Sequence, residues 1–211
     1  MKKTRVSFSS GSLILEGILA IPEGVGPFQA VIVCHPHPLY GGNMDNNVIH
    51  SVFETLTQAS LASFKFNFRG VGGSQGEFGR GIGEQEDVEA AISFISTVKE
   101  VDSKRIGLAG YSAGAGFALP IGSRDARIKA LAAVSPPLSM FDFDFLKSCP
   151  KPKLLISGSR DDFSPADQFL EFCQNLPDPK ECESIEGADH FWWGYESGLA
   201  ARVAAFFTKA L

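Results

Sequence analysis

The chain has 211 residues, 44% hydrophobic and 20% charged, with a formal net charge of -5 and a pI near 5.4. That balance is ordinary for a globular fold with one sizeable core, and a single domain spanning 1–211 is expected. No Lys/Arg cluster stands out, which argues against nucleic acid or an anionic membrane as partner. No window nears the roughly 18 apolar residues of a membrane span.

In the opening stretch "MKKTRVSFSSGSLILEGILA", Glu16 and Gly17 interrupt the apolar run. Residues 4–9 and 12–20 therefore read as a hairpin turned at Ser10 and Gly11, rather than as a cleaved signal. "AVIVC" (30–34) is a continuous apolar run, as in a strand covered on both faces. A helix follows with Ile49, Phe53 and Leu56 on one face, then a strand "LASFKFNF" (61–68). After "GIGEQED", Val88, Ala91, Ile92, Ile95 and Val98 mark an amphipathic helix. "RIGLAG" is a strand and "AGAGFAL" a helix, which Pro120 should shorten or kink. "IKALAAV" and "PKLLISG" are strands, "ADQFLEFCQNL" a helix and "ECESIEG" the last strand. The closing helix carries Leu199, Val203 and Phe206 on one face. Strands alternating with helices predict an α/β fold: a three-layer α/β/α sandwich around a mostly parallel sheet of about eight strands. The four cysteines, Cys34, Cys149, Cys173 and Cys182, lack zinc spacing. They read as free thiols, and the cytoplasm is the expected location.

Such sheets carry function in the loops after their strands. After "RIGLAG" comes Gly110-Tyr111-Ser112-Ala113-Gly114, a G-x-S-x-G between a predicted strand and a predicted helix. The turn would project Ser112 Oγ above the sheet at a helix N-terminus, where the dipole favours negative charge. The competing reading is a tight packing turn. A second competitor is the G-x-x-x-G-x-G of Gly110, Gly114 and Gly116, which suits an NADP-dependent dehydrogenase. It sits mid-chain, however, with no Y-x-x-x-K.

A serine hydroxyl needs a base, and the base an orienting group. In this fold the chain order is Ser, acid, His, and His190 is the one histidine of four that follows Ser112. "LLISGSRDDFSP" places Asp161 and Asp162 just past a strand; Asp161 is the preferred acid, with Asp162, Asp142, Asp144 and Asp189 as rivals. His35 and His37 could share a face as metal ligands, yet Cys34, Asp45 and His50 complete no zinc spacing. No metal and no cofactor are expected.

Serine turn, late acid and final histidine resemble the α/β-hydrolase superfamily over nearly the whole chain. "LEGILAIPEG", "FNFRGVGGSQG" and "CHPHPLYGG" resemble a small bacterial branch related to dienelactone hydrolases and to X-prolyl peptidase/cocaine-esterase-type domains. Members often have H-G-x-P where this chain has His35-Pro36-His37-Pro38. The resemblance implies an oxyanion hole from the backbone N–H of His37 and of Ala113. Prolines at 36 and 38 have no N–H to give. Tyr40 could add a hydroxyl there or form a pocket wall. About 18 residues separate Val134 from Lys153, which leaves no room for a cap domain. Phe141, Phe143, Phe145, Trp192 and Trp193 are candidates to line an apolar acyl pocket.

The expected function is a cofactor-free serine hydrolase acting on the carboxylic ester of a small acyl substrate. A thioesterase, peptidase or lactone hydrolase would use the same triad. A non-catalytic binding protein on this fold would usually have lost a triad member. A homo-oligomer is compatible with all of these.

Overall fold

The computed structural model describes residues 1–211. The chain opens with β1 (Lys2–Ser10) and β2 (Leu13–Ile21), paired antiparallel. Then come β3 (Phe28–Cys34), α1 (Asn47–Gln58), β4 (Ala62–Phe66), α2 (Ile82–Ser96), β5 (Val101–Tyr111) and α3 (Ala113–Arg124). β6 (Ile128–Val134), β7 (Lys153–Arg160), α4 (Ala166–Gln174), β8 (Lys180–Asp189) and α5 (Glu196–Ala210) complete it. The eight strands form one sheet in the order β1-β2-β4-β3-β5-β6-β7-β8. β2 also runs antiparallel to β4, and from β4 to β8 every pairing is parallel.

β3 shows why its sequence is apolar throughout. Val31 and Val33 belong to the core under α1 and α5, while Ala30, Ile32 and Cys34 belong to the core under α2, α3 and α4. A strand covered on both faces has no solvent side to mark with polar residues. The buried faces of α1 (Ile49, Phe53, Leu56) and α5 (Leu199, Val203, Phe206) match the predicted stripes. The result is a three-layer sandwich with helices on both sides of the sheet.

Three local expectations change. α2 stops at Ser96, before Val98, because the Thr97 hydroxyl bonds back to the Phe94 carbonyl and Val98 N to the Ile95 carbonyl, tightening the last turn. α3 runs through Pro120 to Arg124. Its neighbours Phe117, Leu119 and Ile121 are buried, and that packing outweighs the one ladder bond the proline removes. β4 ends at Phe66, two residues early. Between β6 and β7 lie only loops and one short 3-10 turn, Asp144–Ser148, so no cap covers the sheet edge. All four cysteines are free thiols. No helix is long and apolar enough to cross a membrane.

Candidate active site

The parallel register sets Cys34 beside Gly110, Tyr111 beside Val134 and Val134 beside Ile156. The loops leaving β3, β5, β6, β7 and β8 therefore open at one edge. Ser112 sits at the turn from β5 into α3 with φ 54° and ψ -127°, a strained conformation for a non-glycine residue. Its N–H is held by the Val134 carbonyl at 2.9 Å. The two flanking glycines are steric requirements. A Cβ on Gly110 would strike the backbone of Ala115, and one on Gly114 the carbonyls of Cys34 and His35. The serine turn is thus pressed against the loop that follows β3.

Ser112 Oγ lies 2.9 Å from His190 Nε2, and His190 Nδ1 lies 2.8 and 2.9 Å from the two Asp161 oxygens. Because the carboxylate can only accept, Nδ1 carries the proton and Nε2 is left to accept the serine hydroxyl. Asp161 Oδ1 also takes the amides of Phe163 (2.9 Å) and Ser164 (3.1 Å), and Oδ2 takes the Ser157 hydroxyl (3.2 Å). Burial pushes this carboxyl up. The bond from His190 and the His190 charge, with the Phe163 amide, outweigh burial and hold it below its ordinary range. Asp162, its neighbour, is exposed, as are Asp142 and Asp144. The Asp189 side chain accepts Phe191 N and Trp192 N and so shapes the His190 loop instead of reaching the ring. One participant the motif reading passed over is Tyr111, buried beside Ser112. Its hydroxyl donates to the His190 carbonyl at 2.7 Å, tying the serine strand to the histidine loop.

The loop after β3 explains its two histidines. Phe68 N–H can only donate, so His35 Nε2 accepts from it (3.1 Å) and His35 Nδ1–H donates to the Pro36 carbonyl (2.7 Å). Both ring nitrogens are engaged by backbone, which leaves none for a metal. The Pro36–His37 peptide is trans, so its N–H points opposite to the carbonyl His35 holds. That N–H belongs to His37. Neither it nor the N–H of Ala113 bonds to any protein acceptor, and both residues line the cavity that contains Ser112. The His37 carbonyl accepts Tyr40 N and Gly42 N, and its Nδ1 accepts Leu39 N, which closes the loop as a 3-10 turn over Pro38–Tyr40.

Burial pushes His35 down to about 4, against a bond to Pro36 that raises it. The unfolded chain takes up this proton as pH falls through 6.5, while the folded chain takes it up only near 4. Stability present above this window is therefore lost on acidification, by up to about 3 kcal/mol. In urea titrations at pH 7 and pH 4.5, wild type should lose about 2 kcal/mol more than His35→Gln; equal losses would refute the neutral clamp.

The cavity over Ser112 measures about 420 Å³ and is lined by Pro36, His37, Tyr40, Asn46, Pro137, Met140, Phe141, Phe163 and Phe191, among others. Tyr40 and Phe141 are therefore wall residues. Phe143 and Trp192 are not. Phe143 is packed in the core under α3 and α4, and Trp192 is fully buried under α1 and α5. Phe145 packs against the same core as Phe143, and Trp193 faces outward at 70% exposure. Their places are taken by Met140, Phe163 and Phe191. No Lys, Arg, Asp or Glu lines the cavity.

This architecture is that of an α/β hydrolase. The family model for the alpha/beta hydrolase domain matches residues 29–200, and the chain belongs to that family. A serine hydrolase homologue from Coxiella burnetii superposes with a TM-score of 0.88 at 32% identity, covering 97% of each chain. A Xanthomonas campestris serine hydrolase without a lid gives 0.87 at 25% identity, over 100% of this chain and 95% of that one. The protein RP471 of Rickettsia prowazekii is 35% identical over 169 residues, 76% of this chain and 71% of its own length. Other curated relatives are longer, and the match spans 39–46% of them. The chain is thus a small α/β hydrolase without a cap.

Proposed function

We propose that the protein is a serine hydrolase that cleaves carboxylic esters with an uncharged, apolar acyl group. The observation that carries the reading is the unbroken line from Ser112 Oγ through the His190 ring to Asp161. Ser112 attacks the ester carbonyl as His190 Nε2 takes its proton. Asp161 holds the imidazole in the required tautomer and stabilises the imidazolium. Oxygen charge develops at the N-terminus of α3, where the unengaged amides of His37 and Ala113 receive it. The imidazolium then protonates the leaving alcohol, and water releases the acyl group by the reverse path. No metal or cofactor has a part in these steps.

The substrate class follows from the walls. A carboxylate near the scissile bond would be desolvated beside Met140, Phe141 and Phe163 with no cation to pair it. This weighs against carboxylated lactones. A peptide would need backbone donors and acceptors along a cleft whose far wall is apolar side chain. The test is a panel of p-nitrophenyl esters, with thioesters, a lactone and a peptide anilide alongside. Neutral acyl esters should exceed a dicarboxylic half-ester in kcat/KM by about tenfold or more. Equal rates on the anionic ester would overturn the substrate class, and no turnover of any acyl substrate would overturn the hydrolase reading.

The oxyanion assignment has its own test. His37 has φ -56°, which proline matches, so His37→Pro deletes the amide at little backbone cost. A kcat loss of about 10²–10³ is expected for it, against a few-fold at most for His37→Ala, which keeps the N–H. Similar losses in both variants would point to the imidazole instead.

A further inference from the structure

The glycines of the G-x-x-x-G-x-G run are not equivalent. Gly110 and Gly114 stand where a Cβ would strike backbone, and the serine turn requires both. Gly116 has no such backbone neighbour. It sits inside α3, where glycine weakens a helix relative to alanine. The space of its missing side chain is taken by the ring of Phe141: a Cβ on Gly116 would collide with Cγ, Cδ1 and Cε1 of that ring. The same ring meets buried Phe117 edge-to-face, with centroids 5.4 Å apart and planes at 79°. Its backbone is fixed by the Pro137 carbonyl, which accepts Met140 N at 2.9 Å and Phe141 N at 3.1 Å. Phe141 is thus half-buried, seated on α3, and presented to the cavity that contains Ser112. Gly116 follows Ser112 by four residues, so the ring stands about one helical turn, roughly 5.4 Å, along α3 from the nucleophile.

The proposed mechanism divides this cavity. His190 Nε2 returns its proton to the leaving oxygen, so the alcohol must lie on the His190 side. The aromatic cavity walls against the imidazole are Phe163, with centroids 4.5 Å apart, and Phe191, at 5.7 Å. The carbonyl oxygen takes the amides of His37 and Ala113. The acyl chain is left the wall away from His190, where Phe141 stands with Pro137 and Met140. We propose that Phe141, seated on Gly116, determines acyl-chain length and restricts the enzyme to short acyl groups. The proposal rests on the hydrolase reading above and deepens it. A short chain is buried against the ring, whereas a longer one is turned out to water and gains nothing from its extra methylenes. Without the ring the chain can run on over Gly116 and Phe117, where each further buried methylene adds about fourfold to kcat/KM.

The test is the ratio of kcat/KM on p-nitrophenyl octanoate to that on p-nitrophenyl butyrate. Wild type should favour the butyrate. Phe141→Ala should raise the ratio about tenfold or more, chiefly through a lower KM for the octanoate. Phe141→Leu should move it the same way by a smaller factor, and keeps the test open if the alanine variant folds poorly. Gly116→Ala should lower the ratio by about threefold or more, because its methyl group pushes the ring into the cavity. Phe191→Ala, on the alcohol side, should leave the ratio within about twofold, whichever way the overall rate moves. A wild-type preference for the octanoate, or an unchanged ratio in the folded Phe141 variants, would overturn the proposal. So would a Phe191→Ala shift as large as that of Phe141→Ala, which would put the acyl chain beside His190. A wild type that hydrolyses neither ester and takes up no serine-directed probe would instead overturn the hydrolase reading.

Discussion

Ser112→Ala is expected to lower kcat by about 10⁴-fold or more while leaving the fold intact. Alanine keeps the Cβ that the strained turn already accommodates. The substitution removes one oxygen, whose single bond is to His190 at 2.9 Å. Its effect on stability should stay within about 1 kcal/mol, as for the loss of one ordinary hydrogen bond. The His37 and Ala113 amides survive the change, so residual activity above the uncatalysed rate is expected, without any acyl-enzyme. A burst of nitrophenolate seen with wild type should be absent from the variant. Steady-state kinetics with thermal melting checks both halves.

Asp161→Asn should cost about 10⁴ in kcat, and Asp162→Asn less than about twofold. The two residues are adjacent, but Asp161 is buried against His190 and Asp162 is exposed. Asparagine would still offer an oxygen to Phe163 N and Ser164 N. Its amide N–H₂ would then face His190 Nδ1, force the other tautomer and put a proton on Nε2, where the serine hydroxyl needs an acceptor. Measuring kcat/KM for the two variants separately is sufficient; equal losses would mean that neither side chain orients the imidazole in the way described.

The sheet was legible because its signal is periodic. Apolar runs such as "AVIVC" and stripes such as Leu199, Val203 and Phe206 survive averaging over many contacts. Ser112 and His190 were legible because a fixed chain order and two glycines constrain them. The aromatic wall was not. In the loop after β8, Phe191, Trp192 and Trp193 are consecutive, and one lines the cavity, one is buried and one faces solvent. That division is made by the positive φ at Trp192 and its bond to Ser135, a contact across 57 residues of chain that no local pattern encodes. Phe141 and Phe143 divide the same way: alternate positions of one loop, one over the serine and one in the core. The side-chain roles of the histidines in "CHPHPLYGG" were not legible for a related reason. Both bond to backbone, His37 through Nδ1 to Leu39 and His35 bridging to Phe68, which is remote in sequence.

The strand order also lay beyond local pattern. β4 inserts between β2 and β3, so the hairpin meets the sheet through Gly17 and Leu19 against β4 rather than against its sequence neighbour β3. Nothing in the run "ASFKF" declares that partner. Its buried Lys65 becomes intelligible only with Asp45 at 2.8 Å and the Phe53 ring beneath it.

The most direct measurement is reaction of the intact protein with a fluorophosphonate, followed by peptide mass mapping. Wild type should gain one adduct on Ser112 at neutral pH, and Ser112→Ala none. A wild type that stays unlabelled, or a Ser112→Ala variant labelled to the same extent, would contradict Ser112 as the nucleophile.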